Sequence, residues 1–196
     1  MRVKIGFFGG SFDPVHFGHL CAAQDACEHH QLDRLFFVPA AQAPLKPHEA
    51  QSSAADRLAM LRAAVGEDRR FEVSDYELTK GGVSYTIDSV RHFRAQFPRD
   101  QLFWIMGGDQ LPQLHLWKDI HELAQLIEFI FLERPGQLAK AEPAIPGLRL
   151  HRCAGHAIEI SSTELRERAG QGLPLDYFVP HKTVVYIKEK GLYRRS

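Results

Sequence analysis

Short apolar runs alternate with stretches of mixed polarity along this chain of 196 residues. A continuous apolar run predicts a strand that is buried on both faces, as in a parallel sheet. We therefore expect strands at Val3 to Phe8, Leu35 to Val38, Phe71 to Ser74, Leu102 to Met106, Glu128 to Leu132 and Leu148 to Cys153.

The mixed stretches repeat their apolar residues every three or four positions, which predicts amphipathic helices. Leu20, Ala23 and Cys27, for example, fall on one face of a helix from Phe17 to His30. Further helices are expected at Ala54 to Val65, between a cap at Ser84 and Pro98, at Ile120 to Leu126, after a capping box of Ser161 and Glu164, and from Pro180 to near Gly191. Strands that alternate with helices predict one α/β domain over residues 1–196, a Rossmann-like, doubly wound parallel sheet with helices on both faces.

Two glycine-rich turns follow buried strands directly. Gly9-Gly10 follows the first strand, and Gly107-Gly108-Asp109 follows the fourth. Ligands bind beyond the carboxyl ends of the strands in doubly wound sheets, so we expect both turns to face one cleft. The polar, proline-containing loop from Ala40 to Ser53 is long for a plain connection, and such loops are often functional.

The charge and cysteine content exclude several classes of protein. Lys plus Arg and Asp plus Glu both number 24, so the formal net charge is zero. No broad basic field is available for nucleic acid, and no polybasic run indicates a membrane surface. Cys21, Cys27 and Cys153 are too few for a disulfide framework. With no secretory signal and no apolar run of membrane-spanning length, the protein is expected in the cytoplasm.

The first glycine-rich turn leads into two histidines at the start of a helix. Gly9 and Gly10 permit close approach of a ligand to the backbone, and Gly18 does so beside His16 and His19. Backbone N–H groups and the helix dipole favour an anion at this end. Two imidazoles three residues apart can donate hydrogen bonds to phosphate oxygens and stabilise charge that develops during transfer. The turn therefore indicates chemistry on a nucleoside triphosphate.

This turn differs from the common glycine-rich phosphate loops. Its glycines match neither the dinucleotide-binding G-x-G-x-x-G spacing nor the P-loop, so a redox dehydrogenase and a P-loop NTPase are both disfavoured. The histidines can also be structural or simply solvent-exposed. A zinc site of Asp13, His16, His19 and either Cys21 or Cys27 is a further alternative, although no Cys-x-x-Cys or His-Glu-x-x-His pair supports it.

The segment from Ile160 to Arg166 predicts a second anion site. Ser161 and Ser162 place hydroxyls and free N–H groups at a helix start, and Arg166 follows one turn later. Alone, this pattern is more commonly explained by a capped helix with an exposed arginine. Together with the first turn it suits β and γ phosphates, and Lys46 in the long loop is a third candidate cation.

The run Gly-Gly-Ser-Phe-Asp-Pro-x-His-x-Gly-His, from Gly9 to His19, resembles the signature of the HxGH nucleotidyltransferases. The resemblance extends over nearly the whole chain, through Ser84 to Asp88, Met106 to Asp109, Leu114 with Trp117, Ile160 to Arg166 and Val179 to Tyr193. Within the family it is strongest for the bacterial members that act on a pyridine mononucleotide. It implies a Rossmann-like fold in which the C-terminal helices close the nucleotide site.

The resemblance also implies a reaction and a role for each site residue. ATP and nicotinate mononucleotide give deamido-NAD and pyrophosphate, with Mg²⁺ bridging the ATP phosphates and few protein ligands on the metal. His16, His19 and Arg166 are the implied catalytic residues. The implied ATP-binding residues are Gly9, Gly10, Ser11, Phe12, Lys46, Gly107, Asp109, Ser161 and Ser162, and those for the mononucleotide are Tyr85, Thr86 and Trp117.

The chemistry of the two substrates is consistent with this reaction and with these roles. The attacking group is already an anionic phosphate, so positioning and charge neutralisation can supply most of the acceleration without a base. Free N–H groups of the helix that starts near Tyr85 suit the nicotinate carboxylate, and Trp117 can stack on the pyridine ring. Two features depart from the family pattern: residues 43–46 read Ala-Pro-Leu-Lys, and Lys118 stands where an aromatic residue is frequent.

Two alternative functions stay open at the level of sequence. Phosphopantetheine adenylyltransferases and cytidylyltransferases share the histidine motif, but they leave the stretch from Ser84 to Asp88 and Trp117 unexplained. A nucleotide-binding regulator without turnover is the second alternative. The presence of His16, His19 and Arg166 together argues against a decayed site.

Overall fold

Six parallel strands form one sheet in the described part of the chain. The structure is a computed structural model, and it describes residues 2–44, 50–66, 68–133, 143–156 and 158–194. The strands are β1 (Lys4–Gly10), β2 (Arg34–Pro39), β3 (Phe71–Val73), β4 (Gln101–Gly107), β5 (Glu128–Glu133) and β6 (Leu150–Ala154). All six correspond to strands expected from the apolar runs, with ends that differ by at most two residues.

The helices flank this sheet. They are α1 (Phe17–His30), α2 (Ala54–Val65), α3 (Tyr76–Lys80), α4 (Thr86–Gln96), α5 (Ile120–Leu126), α6 (Ser162–Gly170) and α7 (His181–Lys190), with a 3₁₀ segment over Gly108–Leu116. The bounds of α1, α2 and α5 are those expected from sequence. Neither α3 nor the 3₁₀ segment was expected, since five residues are too few to show a helical period and Pro112 interrupts the other.

The expected cap of α4 at Ser84 is wrong. Tyr85 is the N-cap residue, and it makes no side-chain capping bond. The Ser84 hydroxyl instead accepts a hydrogen bond from the backbone N–H of Ala41 at 2.9 Å. This long-range bond ties the start of the loop after β2 to the start of α4, so Ser84 is used between elements rather than within one.

The strand order is β3-β2-β1-β4-β5-β6, and every neighbouring pair is parallel. The order reverses between β1 and β4, which is the switch point where doubly wound sheets bind ligands. Phe8 of β1 lies opposite Ile105 of β4, so both strands end at the same edge. The expectation that Gly9-Gly10 and Gly107-Gly108-Asp109 share one edge is thereby confirmed.

Each face of the sheet carries its own hydrophobic core. Successive side chains of a strand point to opposite faces, so Phe7 and Phe8 of β1 belong to different cores. The Phe7 ring stacks on Phe93 of α4 with centroids 4.1 Å apart, in the core that α4 and α5 cover. Leu61 and Leu165 lie in the other core, beneath α1, α2, α6 and α7. This arrangement is the doubly wound α/β fold expected from the sequence.

Among the described residues, no helix combines the length and the apolar character that crossing a membrane requires.

A buried carboxyl lies between α3 and α4. Glu77 is 5% exposed and accepts a hydrogen bond from the Ser89 hydroxyl at 2.5 Å. Burial raises the pKa of Glu77 above its usual value, and the hydrogen bond from Ser89 opposes this only in part. The folded protein therefore binds this proton more tightly than the unfolded chain does.

The Glu77→Gln variant is expected to be more stable than the wild type at neutral pH. A carboxyl whose pKa is raised in the folded state makes the folded protein less stable as pH rises from the unfolded pKa, roughly 4.3, to the folded pKa. The difference in unfolding free energy between Glu77→Gln and wild type, measured by urea denaturation, should therefore increase over that pH interval. It should vanish at lower pH. Asp88→Asn is the matched control of opposite sign, because the ion pair with Lys80 lowers the pKa of Asp88. Equal stability of Glu77→Gln and wild type at every pH would contradict this account.

Candidate active site

The turn after β1 brings the two expected histidines together. Phe12 adopts the left-handed conformation with φ 49°, and the Asp13–Pro14 peptide is cis. His16 then serves as the N-cap residue of α1, and its backbone N–H donates to Nδ1 of His19 at 3.3 Å. The two imidazoles stack with centroids 3.7 Å apart. Nδ1 of His19 thus accepts a hydrogen bond from the backbone at the start of α1.

Close packing fixes the orientation of both rings. His16 is only 5% exposed, and His19 is half-buried with the Phe12 ring against its edge at 5.0 Å between centroids. A Cβ atom at Gly18 would lie 3.0 Å from Nδ1 of His16, closer than most real contacts. Gly18 is therefore required for the position of His16 rather than for any unusual backbone angle.

The second glycine-rich turn lies at the end of the neighbouring strand. Gly107 ends β4, and the 3₁₀ segment begins at Gly108. A side chain at Gly107 would collide with the carboxylate of Asp109, so this glycine leaves the space that Asp109 occupies. On the other strand, Gly9 and Gly10 pair with Val38 and Pro39 of β2 at the same edge.

The start of α6 docks directly onto the first turn. The Ser161 hydroxyl caps α6 by accepting from the Glu164 N–H at 3.2 Å, as the capping box predicts. The Ser162 hydroxyl donates to the carbonyl oxygen of Pro14 at 2.9 Å, and Nη1 of Arg166 donates to that of Asp13 at 2.9 Å. The two expected anion sites are therefore adjacent in space.

Arg166 keeps part of its donor capacity. Its Nη2 donates to the Thr163 hydroxyl at 3.2 Å, and its Nε is buried without a hydrogen-bond partner in the described part of the chain. A buried guanidinium N–H without a partner is costly, so an anion at this position would satisfy it. The segment before α6 is held as well, because the carboxylate of Asp25 in α1 accepts from N and Nδ1 of His156 at 2.7 and 2.8 Å.

The residues expected to hold the mononucleotide lie near the start of α4. The ammonium of Lys118 lies 4.5 Å from the centroid of the Tyr85 ring, which brings Tyr85 and the segment after the 3₁₀ turn together. Thr86 is the first residue of α4. The half-buried Trp117 packs edge-to-face against Phe129 of β5, with centroids 6.1 Å apart. Lys46, the expected mobile cation, lies outside the described residues.

The sequence did not predict the buried groups that hold the turn between β1 and α1. The carboxylate of Asp13 is 2% exposed and accepts from the Gln51 N–H and the Tyr193 hydroxyl, each at 2.6 Å, and also from the Ser52 hydroxyl. Arg57 of α2 is also 2% exposed, and its Nη1 donates to the carbonyl oxygens of Ser11 and Ala40 at 2.9 and 2.6 Å. The one signal for Arg57 is a charge at helical spacing from Met60 and Leu61, on the apolar face of α2.

Burial affects the electrostatics of several groups around the turn. It raises the pKa of the Cys27 thiol to about 12, which disfavours the thiolate that the zinc alternative requires. Burial also lowers the pKa of Arg57, while the nearby Asp13 charge opposes that change. The Tyr193 pKa is raised by burial and by its bond to Asp13, so its hydroxyl stays a proton donor at neutral pH.

A parallel sheet with a glycine-rich turn and paired imidazoles at its switch point defines an α/β nucleotide-binding protein. Comparisons with known proteins support this class. A family model described as cytidylyltransferase-like matches residues 7–168. A probable nicotinate-nucleotide adenylyltransferase of Opitutus terrae is 72% identical over 194 residues, covering 99% of this chain and 100% of the relative. One of Shouchella clausii, with the same name, is 41% identical and covers 97% and 96%.

Solved structures share the fold at low identity. A Plasmodium falciparum nicotinic acid mononucleotide adenylyltransferase, complexed with NaAD, superimposes with a TM-score of 0.77 at 19% identity, covering 98% of each chain. The chain belongs to the cytidylyltransferase-like family and, within it, to the nicotinate-nucleotide adenylyltransferases. The family expected from the histidine motif is thereby confirmed.

Replacing Gly18 by Ala should move the His16 ring while leaving the stability of the fold nearly unchanged. Alanine is the better helix former, by up to about 1 kcal/mol, but its Cβ must displace the packed His16 ring, so the two effects oppose each other and the midpoint of thermal unfolding should change little. The new methyl group should displace the His16 ring by a few tenths of an ångström, which is visible as a shift of its imidazole NMR signals. Unchanged His16 signals in a folded variant would contradict the close contact.

Proposed function

We propose that this protein transfers the adenylyl group of ATP to nicotinate mononucleotide, giving deamido-NAD and pyrophosphate. The chain acts as one nucleotidyltransferase domain over residues 1–196. The stacked pair of His16 and His19 at the switch point of the sheet carries the proposal, because it combines imidazole donors with a helix start. The names of the relatives at 72% and 41% identity support the choice of substrates.

The reaction needs charge stabilisation more than acid–base chemistry. A phosphate oxygen of the mononucleotide attacks the α-phosphorus of ATP in line, and the bond from that phosphorus to the bridging oxygen of pyrophosphate breaks. The donors of His16 and His19 stabilise the phosphate charge that develops, without forming a covalent bond. No side chain has to remove a proton from the attacking phosphate, which is anionic at neutral pH.

The other site residues bind ATP and the departing pyrophosphate. Gly9, Gly10, Ser11 and Phe12 shape the ATP pocket through their backbone, while Gly107 and Asp109 hold the sugar of the nucleotide. Arg166, Ser161 and Ser162 bind the departing pyrophosphate, assisted by Lys46. Support for this division comes from α6, whose contacts with the carbonyl oxygens of Asp13 and Pro14 put it beside the histidines.

The pyridine ring is assigned to the start of α4. Tyr85, Thr86 and Trp117 hold the mononucleotide, and the N–H groups of the first turn of α4 face the nicotinate carboxylate. The contact of Lys118 with Tyr85 supports a shared location for these residues.

Magnesium accompanies ATP in this proposal. Mg²⁺ keeps several water ligands and binds substrate phosphates readily, so it requires few protein ligands. The carboxylate of Asp13 already accepts hydrogen bonds from Gln51, Ser52 and Tyr193. Among the described residues, no group of three or more His, Cys, Asp or Glu side chains is arranged to hold a metal. A Mg²⁺ ion that arrived with ATP would neutralise phosphate charge beside the histidine turn.

Pyrophosphate release tests the substrate assignment directly. With ATP and Mg²⁺, the rate with nicotinate mononucleotide should exceed the rate with nicotinamide mononucleotide, because a carboxylate suits the start of α4 better than an amide. Equal rates would retain adenylyl transfer but reject the carboxylate account. Pyrophosphate release only with 4′-phosphopantetheine, or only with CTP, would assign the reaction of another member of the family. ATP binding without pyrophosphate release would indicate a regulator without turnover.

Replacing His19 by Ala should lower kcat by roughly 10²-fold, the scale of one lost transition-state donor. The midpoint of thermal unfolding should change little, since His19 is only half-buried. His121→Ala is the control, because His121 is exposed on α5. A kcat within twofold of the control would remove His19 from the mechanism.

A further inference from the structure

Three segments that are distant in sequence meet at one buried carboxylate behind the histidine turn. Asp13 belongs to the turn itself, Ser52 ends the long loop before α2, and Tyr193 follows α7 near the end of the described chain. The hydroxyl of Tyr193 lies 2.6 Å from Oδ1 of Asp13 and 3.2 Å from the Ser52 hydroxyl. Asp13 and Ser52 are 2% and 7% exposed, so the carboxylate and the serine hydroxyl are shielded from water.

Hydrogen bonds to a buried carboxylate are stronger than bonds between neutral groups. The phenol donates to Asp13 over a separation of 180 residues, and its raised pKa keeps the proton on the phenol oxygen. Tyr193 itself adopts the left-handed conformation with φ 63°, two residues after the αL cap at Gly191. The chain therefore makes a sharp change of direction that places this one hydroxyl on Asp13.

Asp13 is well placed to transmit this contact to the histidines. Only Pro14 and Val15 separate it from His16, the N-cap residue of α1. Its side chain is held by Tyr193, Ser52 and Gln51, while its carbonyl oxygen accepts from Arg166. A shift of the carboxylate would therefore move the turn that sets where α1 begins.

We propose that Tyr193 is a positioning residue, whose hydroxyl fixes the histidine turn through Asp13 and fixes the end of the long loop through Ser52. The inference rests on the proposed function, since its kinetic consequence concerns adenylyl transfer. Tyr193 touches neither substrate nor the reacting atoms in this scheme. It makes the placement of His16 and His19 depend on the C-terminal segment that follows α7.

The test compares two tyrosines that make the same kind of bond. Tyr193→Phe removes the hydroxyl that binds Asp13. Tyr186→Phe, the matched control on α7, removes a hydroxyl that donates to Asp56 of α2 at 2.9 Å. We expect Tyr193→Phe to lower kcat by about 10- to 100-fold, the cost of misplacing catalytic groups by up to about 1 Å. The KM values for ATP and nicotinate mononucleotide should stay within about threefold, and Tyr186→Phe should stay within about twofold of wild type in all constants.

The outcomes separate positioning from general stability and from the proposed function. Imidazole NMR signals of His16 and His19 should shift in Tyr193→Phe and not in Tyr186→Phe, a result that does not depend on turnover. An unchanged kcat with unchanged imidazole signals would overturn the inference, and so would an effect confined to KM. Inactivity of the wild type would overturn the proposed function instead, and the imidazole signals would then decide the inference alone. If Tyr193→Phe does not fold, Ser52→Ala removes another donor to the same carboxylate and is judged by the same criteria.

Discussion

The parallel hydrogen bonding between β1 and β4 is the constraint on which the site depends. It makes these two strands neighbours at the point where the sheet order reverses, and it ends both at one edge. The histidine turn and the turn at Gly107 therefore lie at the same edge of the sheet, although many residues separate them in sequence. Burial of both faces of β1 in two separate cores makes this register costly to change, since a shift by one residue would exchange Phe7 with Phe8.

A buried polar cluster then determines the detailed shape of this edge. Close packing alone would leave the carbonyl oxygens and the carboxylate of the turn unsatisfied, because they point away from water. Arg57, Tyr193, Ser52 and Arg166 satisfy them from α2, the C-terminal segment, the long loop and α6. The turn that presents His16 is thus held by four parts of the chain, which suits a site that acts by fixed electrostatic donors.

Sequence could predict the periodic parts of this structure and the local motif, but not the long-range polar contacts. The bounds of α1 follow from the hydrophobic period, whereas β1 continues through Gly9 and Gly10, two residues beyond the end expected at Phe8. The partners of Asp13 do not follow from the sequence, because no periodicity links a turn residue to Ser52 and Tyr193. Likewise, the pattern around Ser84 is that of a helix cap, whereas the fold uses its hydroxyl to hold Ala41. Trp117 is another case, since its packing on Phe129 depends on the path of an irregular 3₁₀ segment.

The most direct test of the central claim is a crystal structure with an ATP analogue that cannot be cleaved between its α and β phosphates. The account predicts phosphate oxygens within about 3 Å of the imidazole nitrogens of His16 and His19, at the start of α1. It also predicts that the nucleotide sugar lies beside Gly107 and Asp109. Phosphates bound away from the start of α1, with both imidazoles out of hydrogen-bonding distance, would contradict the account.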